Sequence, residues 1–171
     1  KRSIRDLYTS EVDEVLVEGE EAYKIARNQM KVLIPSHLKK VQKYEGTNPI
    51  FQHFNVENQM NTIHNPQVTL KSGGYLVINQ TEALVAIDVN SGKSTRERNI
   101  EETALKTNLE AAEELGRQLR LRDLSGLIVV DFIDMEETRN QHAVERRMKD
   151  AMRNDRARIQ IGSISHFGLL E

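Results

Sequence analysis

Hydrophobic and polar positions change their spacing several times along this chain, and each change marks an element. Arg2 to Tyr8 reads as helix. Residues 11–17, Glu-Val-Asp-Glu-Val-Leu-Val, alternate well enough for a short strand. Residues 19–33 are rich in Glu, Ala, Lys and Met, which suits a helix, and Pro35 must end or kink it. A second short helix follows through Leu38 and Val41. Gly46 to Pro49 is a turn, and residues 55–63 read as a short helix with Asn55 as N-cap.

The pattern shifts to strands near residue 66. Pro66 to Lys71 is strand-like, Ser72-Gly73-Gly74 is a tight turn, and Tyr75–Asn79 and Ala83–Val89 are further strands of a hairpin or meander. Asn99 and Glu102 have capping-box spacing. Ile100, Ala104, Leu105, Leu109, Ala112, Leu115 and Leu119 then recur at helical spacing. Ser125-Gly126 closes that helix. Leu127–Ile133 is apolar except for Asp131, as a strand buried on both faces reads. Glu136 to Asn154 is an amphipathic helix with Val144, Met148, Ala151 and Met152 on its core side. Arg158–Gly162 and Ile164–Leu170 supply further strands. From residue 83 the order is strand, helix, strand, helix, strand. The fold class is therefore α/β, a mixed sheet carrying an antiparallel hairpin and a crossover expected to be right-handed.

Composition narrows the function classes. The chain has 171 residues, enough for one domain, or one domain and part of another. Its formal charge is -2, so a nucleic-acid site must come from local clustering of basic residues. The absence of cysteine excludes disulfides, Cys-ligated zinc and thiol catalysis in this segment. Mean hydropathy is -0.57 and no run of about 18 apolar residues exists, so nothing here reads as a membrane span. The chain opens at Lys1 in a helical pattern and stops at Leu170-Glu171 after an apolar run, so it reads as a piece of a longer protein.

Chemistry concentrates on two aspartates. Asp88 lies near the carboxyl end of one strand and Asp131 towards the carboxyl end of the next, with a single helix between. If the strands are neighbours, their backbones lie about 5 Å apart and the carboxylates converge where open α/β sheets bind ligands. Such a pair takes up a proton or holds a cation, and Mg2+ prefers oxygen ligands and retains waters. Asn90 points the same way along an extended backbone and can orient a water. On spacing alone a second reading stands beside the metal pair: Asp88 a strand-end residue, Asp131 satisfied by the backbone. Asp134 lies close, but is equally suited to capping the next helix.

Basic residues read as gathered around this edge: Lys93, Arg96 and Arg98 after the first aspartate, Arg117, Arg120 and Arg122 at the end of the crossover helix, and Arg156 and Arg158 before the last strands. Guanidinium forks suit phosphate oxygens, and Arg122 and Arg158 are the better phosphate candidates of the later residues. The helix dipole is the other explanation for the helix-end arginines, and Arg146 and Arg147 read as a solvated helix face. The histidines are scattered and no P-loop or dinucleotide glycine fingerprint is present.

Thr81 to Gly92, Asn99 to Ala104 with Arg117 to Asp123, Gly126 to Met135, and Asp155 to Gln160 with Phe167 to Glu171 occur in the order and spacing of the catalytic region of the bacterial ribonuclease E/G family, which this chain resembles. Residues 1–65 resemble it more loosely, through Tyr44-Glu-Gly46 and Pro49-Ile-Phe51. The resemblance implies a partial RNase H-like subdomain over 1–63 and a DNase I-like catalytic subdomain over 64–171. It implies Mg2+-dependent endonucleolytic hydrolysis of single-stranded, A/U-rich RNA to 5′-phosphate products, in RNA processing and decay, with Mn2+ as a substitute ion. Asp88 and Asp131 match the family's metal ligands, Asn90 supports a water, and Lys93, Arg96, Arg122 and Arg158 are RNA-contact candidates. The family's RNA-clamping S1 domain and 5′-end sensor precede the matched segment and its cysteine zinc link follows, so zinc is not expected here and the isolated segment is expected to cleave weakly. The expected partners are RNA, the rest of the parent protein and further copies of it. The expected location is the bacterial cytoplasm, with any inner-membrane attachment made elsewhere in the parent protein. The competing function is a scaffold or assembly domain that binds phosphate or RNA without turnover; a nucleotide-binding regulatory domain lacks its phosphate loop.

Overall fold

The structure, a computed structural model, describes residues 2–92, 100–153, 155 and 157–171, and the statements below concern those residues. The chain divides into two compact units, Lys1–Thr62 and Ile63–Glu171.

The first unit contains α1 (Arg2–Leu7), β1 (Val15–Val17), α2 (Glu20–Leu33), a 3-10 helix (Pro35–Lys40), β2 (Val41–Lys43), α3 (Ile50–His53) and α4 (Val56–Thr62). Ala26 and Met30, one turn apart on α2, are buried with Ile4 and Val41. Proline disfavours helical backbone in the residue before it. Accordingly α2 stops at Leu33 and Ile34 turns extended, with φ -142° and ψ 78°. The second helix expected after Pro35 is only a 3-10 turn, and Val41 begins a strand instead. That strand pairs parallel with β1, Val15 opposite Val41. Only the last three residues of the strand read over 11–17 are extended, because this pairing ends at Val15. Asn55 is not the extended N-cap expected of it. Its φ of 55° is left-handed, a value asparagine tolerates better than most residues. Its amide N–H donates to the Gln52 carbonyl at 3.0 Å, so it closes α3 before α4 begins.

The second unit is a five-stranded sheet in the order β3 (Gln67–Thr69), β4 (Tyr75–Gln80), β5 (Val85–Asn90), β6 (Ile128–Asp131) and β7 (Leu169–Leu170). β5 and β6 run parallel and every other pair is antiparallel. The crossover is α5 (Ile100–Leu121), and α6 (Thr138–Met152) packs on it. Side chains alternate across a strand. Leu76, Ile78, Val85, Ile87, Val89 and Val130 therefore share one face, buried in a core with Ala111, Ala112, Leu115, Val144 and Met148 from the helices. The opposite face carries Tyr75, Val77, Ala86, Asp88, Asn90, Val129 and Asp131, all half-buried or exposed.

This one-sided burial corrects the reading of 127–133 as a strand buried on both faces: Ile128 and Val129 are half-buried and Asp131 is exposed. Ile100, read as the first core position of α5, is 86% exposed because the buried stripe begins at Thr103 and Ala104. The expected cap Asn99 lies outside the described residues. The expected strand at 158–162 does not form. Among the described residues of that segment, Gly162 alone is tied to the end of the chain by a backbone bond, its N–H donating to the Glu171 carbonyl, and further on Ser165 N–H donates to the Leu169 carbonyl. No described helix is long and apolar enough to cross a membrane.

Candidate functional site

Asp88 and Asp131 are register partners on the two parallel strands, near their carboxyl ends and on the face away from the helices. Neighbouring strands lie about 4.8 Å apart, so the two carboxylates stand side by side. Asn90, two residues on and on the same face, donates from Nδ2 to Asp88 Oδ2 at 2.8 Å. Partial burial, then the charge of Asp88, then that of Asp134, push the Asp131 carboxyl above the usual carboxylate range.

The backbone around the pair is closely built. Gly74 ends the β3–β4 turn, and a Cβ there would stand 2.7 Å from the Asn90 carbonyl oxygen, so only glycine lets this turn lie against the end of β5. Gly168 has φ +79°, and a Cβ on it would lie 3.3 Å from Asp134 Oδ1 and 4.0 Å from Asp131 Oδ1. Its carbonyl accepts the Phe132 N–H at 3.3 Å. The chain end is thereby stitched to the strand that carries Asp131.

Two buried side chains hold backbone near the pair, Asn108 just beyond the strand of Asp131 and Glu145 in the segment before β7. Asn108, fully buried on α5, donates from Nδ2 to the Ile133 carbonyl at 2.8 Å and accepts the Ile133 N–H on Oδ1 at 3.0 Å. Glu145, buried on α6, accepts the Ile164 N–H at 2.8 Å. Asp134 does not cap α6. The amides of Glu136 and Glu137 donate instead to Glu101 from the first turn of α5, at 3.0 and 3.3 Å. The sequence signal for Asn108 was a polar residue on the same helical stripe as Ala104, Ala111 and Leu115.

The basic residues divide. Lys93, Arg96, Arg98 and Arg156 lie outside the described residues. Arg122 is not at the aspartate edge. A helix joining two parallel strands carries the chain back from the carboxyl end of the first to the amino end of the second. The 22-residue α5 spans about 33 Å and delivers Arg122 to the opposite end of the sheet. There its guanidinium donates to Gln118 Oε1 and to the Asn65 carbonyl, both at 2.7 Å, beside a cavity lined by His64, Pro66, Gln80 and Leu124. Burial, and then the nearby Arg117, lower its pKa. Arg158 is exposed and precedes Ile159–Ile161, which line a cleft with Gly126, Leu127 and Ile128 at the start of β6. It too belongs to the far end.

Two adjacent carboxylates, one carrying an amide donor, suit either a shared proton or a hard divalent cation. Among the described residues no third His, Cys, Asp or Glu joins them to complete a metal cage. An ion on this pair would keep most of its coordination sphere as water or substrate oxygen, as Mg2+ does. The raised carboxyl of Asp131 also predicts a stability effect. Its ionised form is disfavoured in the folded state, so above the raised pKa it costs stability, and the cost is relieved as pH falls through that pKa. Asp131→Asn will therefore unfold at a higher temperature than the parent at neutral pH in EDTA, and the gap will narrow towards acid pH. A lower melting temperature for the variant at neutral pH contradicts this.

The sequence profile of the Ribonuclease E/G family matches residues 1–171. The chain is 51% identical over 170 residues to Ribonuclease E of Haemophilus influenzae, covering 99% of this chain and 18% of that protein. It is 50% identical over 171 residues to Ribonuclease E of Escherichia coli K12, covering 99% of this chain and 16% of that protein. Identity to Ribonuclease G of the same strain is 37% over 171 residues, covering all of this chain and 35% of that protein. The chain thus spans well under half the length of these relatives.

Proposed function

This chain belongs to the ribonuclease E/G family, and from that premise we propose that the Asp88–Asp131 edge is the catalytic centre of a metal-dependent endoribonuclease. The observation that carries the proposal is the register of Asp88 on Asp131 across neighbouring parallel strands, on the uncovered face of the sheet. An RNA strand can reach carboxylates on that face, whereas the other face is filled by α5 and α6.

The pair fits a hard cation in donor chemistry: two anionic oxygens side by side, and a repulsion on Asp131 that a positive ion would relieve. Asp88 and Asp131 would hold Mg2+, with Mn2+ as a substitute, and a bound ion supplies Lewis-acid polarisation of the scissile phosphate and acidifies a water. Asn90 holds the Asp88 carboxylate in orientation through its amide, and its carbonyl oxygen would be the group to orient a water there. Attack of the water at phosphorus forms one P–O bond and breaks the bond to the 3′-oxygen. The upstream product leaves with a 3′-hydroxyl and the downstream one keeps a 5′-phosphate. We place the activity on single-stranded, A/U-rich RNA in cytoplasmic RNA processing and decay. In this reading the S1 clamp, 5′-end sensor and zinc link lie elsewhere in the parent protein, which assembles as a homo-oligomer. This chain, lacking cysteine, holds no thiolate zinc.

The test on this chain is metal binding itself. Titration with Mn2+, read by electron paramagnetic resonance, will show one bound ion that Mg2+ displaces and EDTA removes. Asp88→Asn and Asp131→Asn will each lose it. A parallel incubation with fluorescent single-stranded RNA in Mg2+ or EDTA reads cleavage. Wild-type Mn2+ affinity in both variants, or RNA binding with no metal-dependent cleavage by the full-length protein, would replace this function with the scaffold one.

A further inference from the structure

The turn that closes on Asp131 carries a feature the catalytic reading does not use. Ser165 Oγ accepts the N–H groups of Phe167 and Leu169 at 3.3 and 3.2 Å, and the Ser165 carbonyl accepts the Gly168 N–H at 3.0 Å. Leu169 is the register partner of Asp131. The turn is thus pinned at both ends, yet Phe167 at its tip is 79% exposed. The neighbouring His166 ring meets it edge-on, with centroids 5.8 Å apart.

Single exposed apolar side chains are ordinary, and what distinguishes Phe167 is its place. The adjacent Gly168 lies so near the carboxylates that a methyl group on it would sit 4.0 Å from Asp131 Oδ1. Leu169, 37% exposed, extends the apolar surface beside Asp131. An aromatic face beside the proposed cleavage centre matches one ligand chemistry, an unpaired nucleobase. Stacking holds a base without reading its identity, because every base has a π-face.

We propose that Phe167 is a base-stacking residue that seats one nucleotide flanking the scissile phosphate, a role resting on the catalytic reading of the Asp88–Asp131 edge. It acts on binding rather than on the chemical step. The full-length protein is compared as wild type, Phe167→Ala, Phe167→Trp and Asp88→Asn. Phe167→Ala will raise KM for single-stranded RNA by about 5- to 100-fold with kcat within about twofold, while Phe167→Trp stays near wild type. A 2-aminopurine base scanned along the RNA will be quenched at one position next to the cut by wild type, Phe167→Trp and Asp88→Asn, and not by Phe167→Ala. An unchanged KM in Phe167→Ala, quenching that survives that substitution, or a melting temperature several degrees lower (a packing residue covered by another part of the protein) overturns the proposal. Full-rate cleavage by Asp88→Asn would remove the catalytic reading separately, since the quench reports stacking without turnover.

Discussion

Asp88→Asn in the full-length protein will lower RNA cleavage by about a thousandfold or more while folding and RNA binding stay nearly intact. Asparagine has the shape of aspartate, and its carbonyl oxygen can still accept the Asn90 amide. The lost quantity is one of two charges that would hold the cation. Lewis-acid stabilisation contributes several kcal/mol to such a reaction, and each 1.36 kcal/mol is a factor of ten in rate. Removing a like charge beside Asp131 relieves the repulsion there, so the fold loses nothing. Asp131→Asn should behave alike, and a variant with both substitutions should be little worse than either, because the two carboxylates act as one ligand set. The measurement is the initial rate on a labelled single-stranded RNA at saturating Mg2+, beside filter binding of the same RNA. Wild-type cleavage by either single variant would remove the pair from the mechanism.

The aspartate pair was legible because β5 and β6 are strongly apolar strands whose carboxyl ends each carry one acidic residue. A polar residue at such a place stands out, and parallel neighbours bring strand ends together whatever the loops do. The meander of β3, β4 and β5 was legible for a similar reason: Ser72-Gly73-Gly74 punctuates it, and the strands alternate cleanly. The short parallel pair of the first unit was not. Three residues from Val41 carry too little periodicity to register, and their extension comes from a partner far away in sequence. Residues 158–162 show the converse. Arg158-Ile-Gln-Ile has strand composition, but only Gly162 finds a backbone partner.

The placement of Arg122 shows how a correct element assignment can still mislead about a site. The helix forms where its periodicity places it, but its length and direction carry its last residues to the other end of the strands. Charge clustering along the sequence is not clustering in space when a helix of about 33 Å intervenes. Arg122 is held by Gln118 and by the Asn65 carbonyl near the amino ends of the parallel strands, not at the end that carries Asp88 and Asp131. Asn108 and Gly168 escaped for another reason. Each acts through backbone geometry, one by pairing with Ile133 and the other by admitting the chain beside Asp134, and neither leaves a motif.

Asn108→Leu will destabilise the protein by about 2–5 kcal/mol and lower its affinity for Mn2+. Leucine has the branched shape of asparagine but a larger volume, so it crowds a fully buried site, and Ile133 loses partners for both its N–H and its carbonyl. A buried backbone group left unpaired costs about 1–3 kcal/mol, and Asn108 is fully buried. Asn108→Asp separates the two bonds. It keeps an acceptor for the Ile133 N–H, loses the donor to the carbonyl and places a charge in the core, so it should destabilise at least as much at neutral pH. The functional consequence follows from position. Ile133 lies two residues beyond Asp131 and one before Asp134, and α5 is the element that holds this strand end from the core side. With that clamp released, the Asp131 carboxylate would no longer keep its register on Asp88, and a cation held as proposed would lose one of its two protein ligands. Thermal unfolding in EDTA reads the first effect, and a Mn2+ titration at a temperature where the variant is still folded reads the second. Unchanged melting and unchanged Mn2+ affinity would show that Asn108 is an ordinary core residue; a lower melting temperature with wild-type Mn2+ affinity would confine it to stability and leave the pair held by the sheet alone.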